Sequence, residues 1–315
     1  MSRTGRRPVS WWIRLATLVV GVPSLLVAAW FAAGDVGEVD RSLWWALVPA
    51  AILSILSLLL QGRAWSVLLP DSVDRVVADD AFFTSQLVKY SPVGGFAQAG
   101  AQAGMAVGGD VGAGRATTAM VVSKLTMVVA AGCFGPVLAV TNPSLPTWVR
   151  LLLCLTPATL AVGHPAVLRR SLDLAARLVR RRADHSVLPP PSAVWSSVAW
   201  SAGGLALTGA AFAVLAVTVD PDTDLLQATA GFVVAWAIGF LVIPVPAGLG
   251  VREAAIAALV QGPPGTKLVA AVMLRMVTIA AEALLAAAVR WRSARRGRAQ
   301  PAGDPVTDEP DGSTA

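Results

Sequence analysis

The stretch PVPAGLGVRE, from Pro244 to Glu253, sets an arginine beside a glutamate behind two prolines and two glycines, late in an otherwise apolar part of the chain. Arginine carries a permanent charge on a planar fork that pairs two-pronged with a carboxylate or a phosphate. Glycines ahead of a helix start let an anion approach the free backbone N–H groups there, at the positive end of the helix dipole. Gly248, Gly250 and Arg252 therefore read as donors to an anionic group, with Glu253 in the first helical turn.

A second stretch of the same kind, KYSPVGGFAQ, runs from Lys89 to Gln98. Aligning Pro92 with Pro246 superposes small residues and sets Gln98 opposite Arg252. Farther on, Lys124 in AMVVSKLTMVV and Arg275 in AAVMLRMVTIA lie 32 and 29 residues beyond their prolines, and the prolines are 154 residues apart. Paired Gly/Pro-interrupted segments in corresponding halves point to a substrate site of the transporter type, where half-helices meet inside the membrane. Lys89, Lys124 and Arg275 add positive charge to such a site.

Each of these residues has a plainer reading. Arg275, Thr278 and Glu282 fall on one helical stripe, since seven residues make nearly two turns, so Glu282 is a partner for Arg275 or Arg252 in the bundle interior. Glu253 could serve only to complement the helix dipole. Lys89 and Lys124 could snorkel to an interface, and Tyr90 reads as an interfacial anchor.

The elements that must position these groups are membrane helices. The chain has 315 residues, 55% of them hydrophobic and 14% charged, with a mean hydropathy of +0.65, which is too apolar for a soluble domain of this length. The formal charge of +6 becomes +10 without the last fifteen residues, which carry Asp304, Asp308, Glu309 and Asp311 and no base. This excess is cytoplasmic-loop charge and does not indicate nucleic acid. Three lysines against 22 arginines, with abundant alanine, indicate a high-GC bacterial genome. Cys133 and Cys154 fall in apolar runs and read as small hydrophobes. His164 and His185 have no partner at ligand spacing, so neither a metal nor another cofactor is expected.

Apolar runs mark spans at Leu15 to Ala33, about Leu43 to Leu69, Arg115 to Val140, Thr147 to Gly163, Ala193 to Thr218, Leu225 to Ile243 and Leu268 to Val289. Two segments are broken: 81–107, and the short run after the opening motif. Val251 to Gln261 is eleven residues, about 16 Å of helix against a hydrocarbon core of about 30 Å. Backbone outside a helix survives at that depth only when buried in protein or lining a watery cavity. The loop RRSLDLAARLVRRRADHS carries six arginines and two aspartates and reads as cytoplasmic, which puts both termini inside. Its LDLAARLV segment also has the pattern of a surface helix.

The expected fold is an all-α polytopic membrane protein of about seven to eight transmembrane helices, with two broken or re-entrant segments in an internal, inverted repeat. Its membrane domain covers 1–290, with halves at 43–163 and 193–290 around the basic loop 164–192. A basic and then disordered, acidic tail follows over 291–315.

These motifs resemble the transmembrane region of lysylphosphatidylglycerol synthases. KYLPGG of that family is matched by Lys89, Tyr90, Pro92, Gly94 and Gly95, with Ser91 and Val93 interrupting it. PGGLGVRE is matched by Pro246, Gly248, Leu249, Gly250, Val251, Arg252 and Glu253, and the arginine of the following helix by Arg275. Where the family often has a Glu-Arg pair, this chain has Ser123 and Lys124. The likeness spans about Leu15 to Val289. It implies a flippase-like lipid transporter; in full-length synthases such a region is joined to a soluble aminoacyl-transferase domain, and since nothing soluble is expected here beyond the short tail, synthase activity is not expected.

Two function classes follow. The first is a transporter in a bacterial cell membrane that captures an anionic or phosphate-linked lipid headgroup at Arg252, Gly248, Gly250, Glu253, Arg275, Lys89, Gln98, Lys124 and Glu282, with no GxxxxGK[ST] nucleotide loop. The second is a membrane glycosyl- or acyl-transferase, or a scaffold for one, in which Arg252 holds a lipid phosphate and Glu253 and Glu282 are the carboxylates in the bundle. A partner transferase and a second copy of the chain are the candidate protein partners.

Overall fold

The computed structural model describes residues 41–90, 94–108, 111–164, 166–167, 169–170, 173, 188–241 and 250–299. The expected span at 15–33, most of the basic loop, the acidic tail, Pro92, Pro244, Pro246 and Gly248 lie outside the described residues.

Among the described residues all regular structure is helical: α1 (Arg41–Ser66), α2 (Arg75–Val88), α3 (Gly94–Gly108), α4 (Ala113–Gly132), α5 (Gly135–Thr141), α6 (Thr147–Leu155) continued by a 3-10 segment (Thr156–Gly163), α7 (Pro191–Val219), α8 (Leu225–Leu241), α9 (Val251–Leu259) and α10 (Pro264–Ala299). Among the described residues four stretches are long and apolar enough to cross a bilayer: Trp45–Ser66, Ala113–Thr141, Pro191–Val219 and Pro264–Arg295. Thr147–Ala161 and Leu225–Leu241 are shorter apolar helices.

Glycine and small polar residues decide how the long helices meet. On α1, Trp45, Val48, Ile52, Leu56 and Leu59 are exposed at spacings of three and four, a stripe suited to lipid, whereas Ala46, Ala50, Ser54, Ser57 and Leu58 are buried. The buried face crosses α7 at Gly204, where an added Cβ would stand 2.8 Å from Gln61 Cγ and 3.1 Å from the Ser57 carbonyl oxygen. Ser57 Oγ donates to the Gly204 carbonyl at 2.6 Å, and Gln61 Nε2 donates to Ser57 Oγ at 2.9 Å. Close approach through small residues, joined by hydrogen bonds, is how helices associate where no water drives them together. Gly209 of α7 admits the backbone of α8 in the same way, with Thr229 O 2.7 Å from a Cβ placed there. Phe212 and Phe232 stack beside it, 5.0 Å apart.

The broken segments are pairs of short helices. At fourteen and fifteen residues, α2 and α3 reach about 21 and 22 Å, and α9, with nine residues, about 14 Å. None reaches across a core of about 30 Å. The α2 and α3 helices pack on one another, and α2 also packs on α10. Asp74 caps α2 by accepting from the Val76 N–H at 2.8 Å.

Two spans differ from the sequence expectation. The helix expected at 115–140 stops at Gly132 and resumes at Gly135, with Pro136 in its first turn, because a proline has no N–H to continue the ladder. The last helix runs past Val289 to Ala299. There Arg295 lies over the Trp291 ring at 3.7 Å, so the basic residues after the span extend the helix before any tail begins.

Candidate functional site

Two short helices, α2 and α9, and two long ones, α4 and α10, carry the charged residues of the site. Lys89 is the C-cap of α2, where the negative end of the helix dipole favours a cation. Its Nζ pairs with Oε1 of Glu282 on α10 and lies 3.4 Å from Gln86 Oε1. Tyr90 donates its hydroxyl to the other Glu282 oxygen at 2.9 Å. Glu282 is 1% exposed and Lys89 25%. A buried carboxylate is tolerated when both oxygens are matched, as these are. Gln98 Nε2 donates to Gln86 Oε1 at 2.9 Å, so α3 is tied to α2 through the same acceptor that faces Lys89.

The start of α9 is built around Gly250, whose φ of +80° is strained for any residue with a Cβ. Glu253, three residues on, reaches back to accept from the Gly250 N–H at 2.7 Å. The other oxygen of that carboxylate faces Arg252 at 3.4 Å and Arg275 of α10 at 3.3 Å. One carboxylate thus serves a helix-terminal N–H and two guanidinium groups. Among the described residues Arg252 Nε is buried with no hydrogen-bond partner, and its guanidinium lies 5.9 Å from the Phe232 ring centre, within cation–π range. Gly239 of α8 allows this approach: a Cβ there would stand 3.0 Å from Arg252 Cβ.

The two groups are one cluster. Tyr90 is within electrostatic range of Arg275 and Arg252, Arg252 of Arg275, and Lys124 of α4 within range of Lys89. Lys89, Lys124, Arg252 and Arg275 supply four positive charges against two from Glu253 and Glu282. Lys124 makes no hydrogen bond or ion pair among the described residues.

All the proposed site residues that the structure describes are in or beside this cluster: Gly250, Arg252, Glu253, Arg275, Lys89, Gln98, Lys124 and Glu282. Gly248 lies outside the described residues. The pairing differs from the sequence expectation. Glu282 does not neutralise an arginine; Lys89 and Tyr90 reach it from α2, while Arg275, two turns away on the same helix, turns to Glu253. Tyr90 is accordingly a hydrogen-bond donor in the cluster. Glu253 does face the helix start, as a dipole partner would, and also holds both arginines.

Sequence reasoning missed the far end of α9. Asn142 Nδ2 and Gln227 Nε2 both donate to the Leu259 carbonyl, at 2.9 and 2.8 Å. Gln261 Nε2 donates to Asn142 Oδ1 at 2.9 Å. Lys267 Nζ donates to the Ala257 carbonyl at 3.1 Å and also to that of Val260. A helix end leaves carbonyls without intrahelical partners, and these side chains supply them. The available signal was single amides, Asn142 and Gln227, at the edges of apolar runs.

Long apolar helices around short ones whose charged ends meet in the interior define a multi-pass integral membrane protein. The chain belongs to the lysylphosphatidylglycerol synthase TM region family, whose model matches residues 11–288. It is a membrane protein of a lipid-related family. No curated protein matches the chain.

Proposed function

We propose that this protein is a flippase-like transporter that binds the anionic or phosphate-linked headgroup of a lipid at the meeting of the broken helices. The observation that carries the reading is the charge imbalance of a largely buried cluster, four cations against two carboxylates, at the start of α9 and the end of α2. Ionisable groups within a membrane bundle are costly and mark substrate pathways. The Gly250 N–H and two arginines form a donor set suited to phosphate oxygens, and the Glu253 carboxylate is the acceptor they share. The headgroup would exchange with the Glu253 carboxylate while the acyl or prenyl tails stay in lipid, outside the exposed apolar faces of α1 and α10. The bacterial plasma membrane is the proposed location. Both termini are proposed to face the cytoplasm, a reading supported by the arginines of the 164–192 loop and of the end of α10.

The test is reconstitution of the full chain in liposomes with fluorescent phosphatidylglycerol. Leaflet exchange accelerated by the wild type and lost in Arg252→Ala supports transport. Exchange unaffected by the substitution, together with a new lipid product in mass spectra, would replace transport by transferase chemistry.

A further inference from the structure

On α3, Gln98, Gln102, Met105 and Gly108 follow one another at spacings of four, three and three, so they stand on one face of the helix. At its outer end Met105 and Gly108 line a surface cavity of about 280 Å³, together with Asp74, Val77 and Asp80 and with Ser293 of α10. At its inner end Gln98 donates to Gln86 Oε1 of α2 at 2.9 Å, and that oxygen lies 3.4 Å from Lys89 Nζ. The face thus joins the cavity to the Lys89–Glu282 pair. Gln102 stands between the two ends, 0% exposed, with neither amide atom hydrogen-bonded among the described residues. A buried amide with a spare donor and a spare acceptor suits water, which offers both. On the α2 wall buried Thr84 donates to Asp80 of the cavity at 2.9 Å, so polar atoms run inward on both sides.

The path ends on a buried carboxylate. Glu282 is 1% exposed and holds Lys89 on Oε1 and the Tyr90 hydroxyl on Oε2. Of the helices packed on α10, α2 faces it with Lys89 and Tyr90, α9 carries Arg252 and Glu253, α1 carries Arg41 and Arg63, and α7 has no ionisable residue. Arg275 is two turns away on α10 itself and pairs with Glu253. The other charged residues of α2, Arg75, Asp79 and Asp80, lie toward the cavity. Lys89 is therefore the cation that Glu282 holds.

We infer that lipid movement is coupled to a proton, which enters from the cavity through water held at Gln102 and is taken up by the Glu282 carboxylate. This rests on the lipid-transport reading above and supplies its driving force. The proton forms an O–H bond on a Glu282 oxygen, and the ion pair with Lys89 is lost. Lys89 keeps its own proton and its charge and turns to the phosphate of the headgroup; at 25% exposure it is the freer member of the pair. Release of the headgroup returns the proton to water and Lys89 to Glu282. An ionised Glu282 competes with the headgroup for one ammonium, whereas a neutral one leaves a matched lysine–phosphate pair, and unmatched charge is what a membrane interior penalises.

The full chain is reconstituted in phosphatidylcholine vesicles with a trace of fluorescent phosphatidylglycerol, the membrane potential clamped and a gradient of about one pH unit imposed. One proton per lipid makes the fluorescent lipid gather about tenfold in the leaflet facing the more alkaline side, the equivalent of about 1.4 kcal/mol. Glu282→Gln, always neutral, is expected to exchange lipid with no such asymmetry. Gln102→Leu removes only unpartnered polar atoms, so its thermal stability should equal or exceed wild type. Its lipid binding should be unchanged and its gradient-driven accumulation about tenfold slower. Exchange by wild type that stays symmetric under the gradient overturns the coupling while leaving lipid transport standing. Asymmetry that persists in Glu282→Gln overturns the proton site. An unchanged rate in Gln102→Leu, or loss of its fold, overturns the path, and this variant decides alone if Glu282→Gln does not fold. No exchange by wild type at any gradient removes the transport reading as well.

Discussion

The two ends of α9 solve the same problem in opposite ways. At the C-terminal end, the carbonyls that the helix leaves over accept from Asn142, Gln227 and Lys267, with the amide bonds at 2.8 to 2.9 Å. At the N-terminal end one carboxylate is divided among three donors, and the two guanidinium contacts are 3.3 and 3.4 Å long. The first end is saturated by neutral amides and one lysine, so nothing is gained by exchanging a partner. The second keeps a surplus of donors over acceptors, and an incoming anion can improve on what is there. The difference teaches that a half-helix in a bilayer needs an anchor and an open end, and that hydrogen-bond saturation tells one from the other.

Four experiments break or sharpen that contrast. The largest effect is expected from Glu282→Ala, which leaves Lys89 and the Tyr90 hydroxyl without their acceptor. Removing one partner of a buried pair costs about 3 to 5 kcal/mol, here toward the lower figure because Lys89 is 25% exposed. Thermal unfolding in detergent would register the loss, and the double variant Lys89→Met, Glu282→Met should recover much of it. Gln227→Leu comes next, because it removes a donor to Leu259 O and the acceptor for the Gln261 N–H. We expect about 2 kcal/mol of destabilisation with headgroup binding per folded molecule unchanged; a selective loss of binding would mean that the anchor and the open end are not separable.

Glu253→Gln should act in the other direction on binding. A neutral amide competes poorly for two guanidinium groups, so affinity for anionic lipid should rise about tenfold, or about 1.4 kcal/mol, as measured by lipid competition. Weaker binding would show Glu253 to be a positioning group and not the occupant that a ligand displaces. The smallest effect belongs to Phe232→Leu, which removes the ring facing Arg252 and should weaken lipid binding by about 0.5 to 1 kcal/mol.

Most of the architecture is legible in the sequence because membrane helices are written in hydropathy. The described spans agree with the apolar runs at 43–69, 193–218 and 225–243 to within a few residues. The two breaks are legible because proline and glycine interrupt helices for local reasons. Partner choice is another matter. Arg275 and Glu282 share a helical face and pattern reasoning pairs them, yet α2 delivers Lys89 and Tyr90 to Glu282 and α9 delivers Glu253 to Arg275. Asn142, Gln227 and Lys267 carry no motif at all. Their role comes from where α9 happens to end, which is a property of packing.

By itself the amino-acid sequence determined that this is a multi-pass helical membrane protein, where its helices break, and which charged residues stand near the breaks. Burial energy and backbone stereochemistry act locally, residue by residue, and a linear reading captures them. The tertiary structure alone decided which carboxylate meets which cation, which end of α9 is anchored, and that the cluster keeps two positive charges in excess. Ion pairs and helix caps depend on angstrom-scale distances between segments remote in the chain, and only the packed bundle sets those distances.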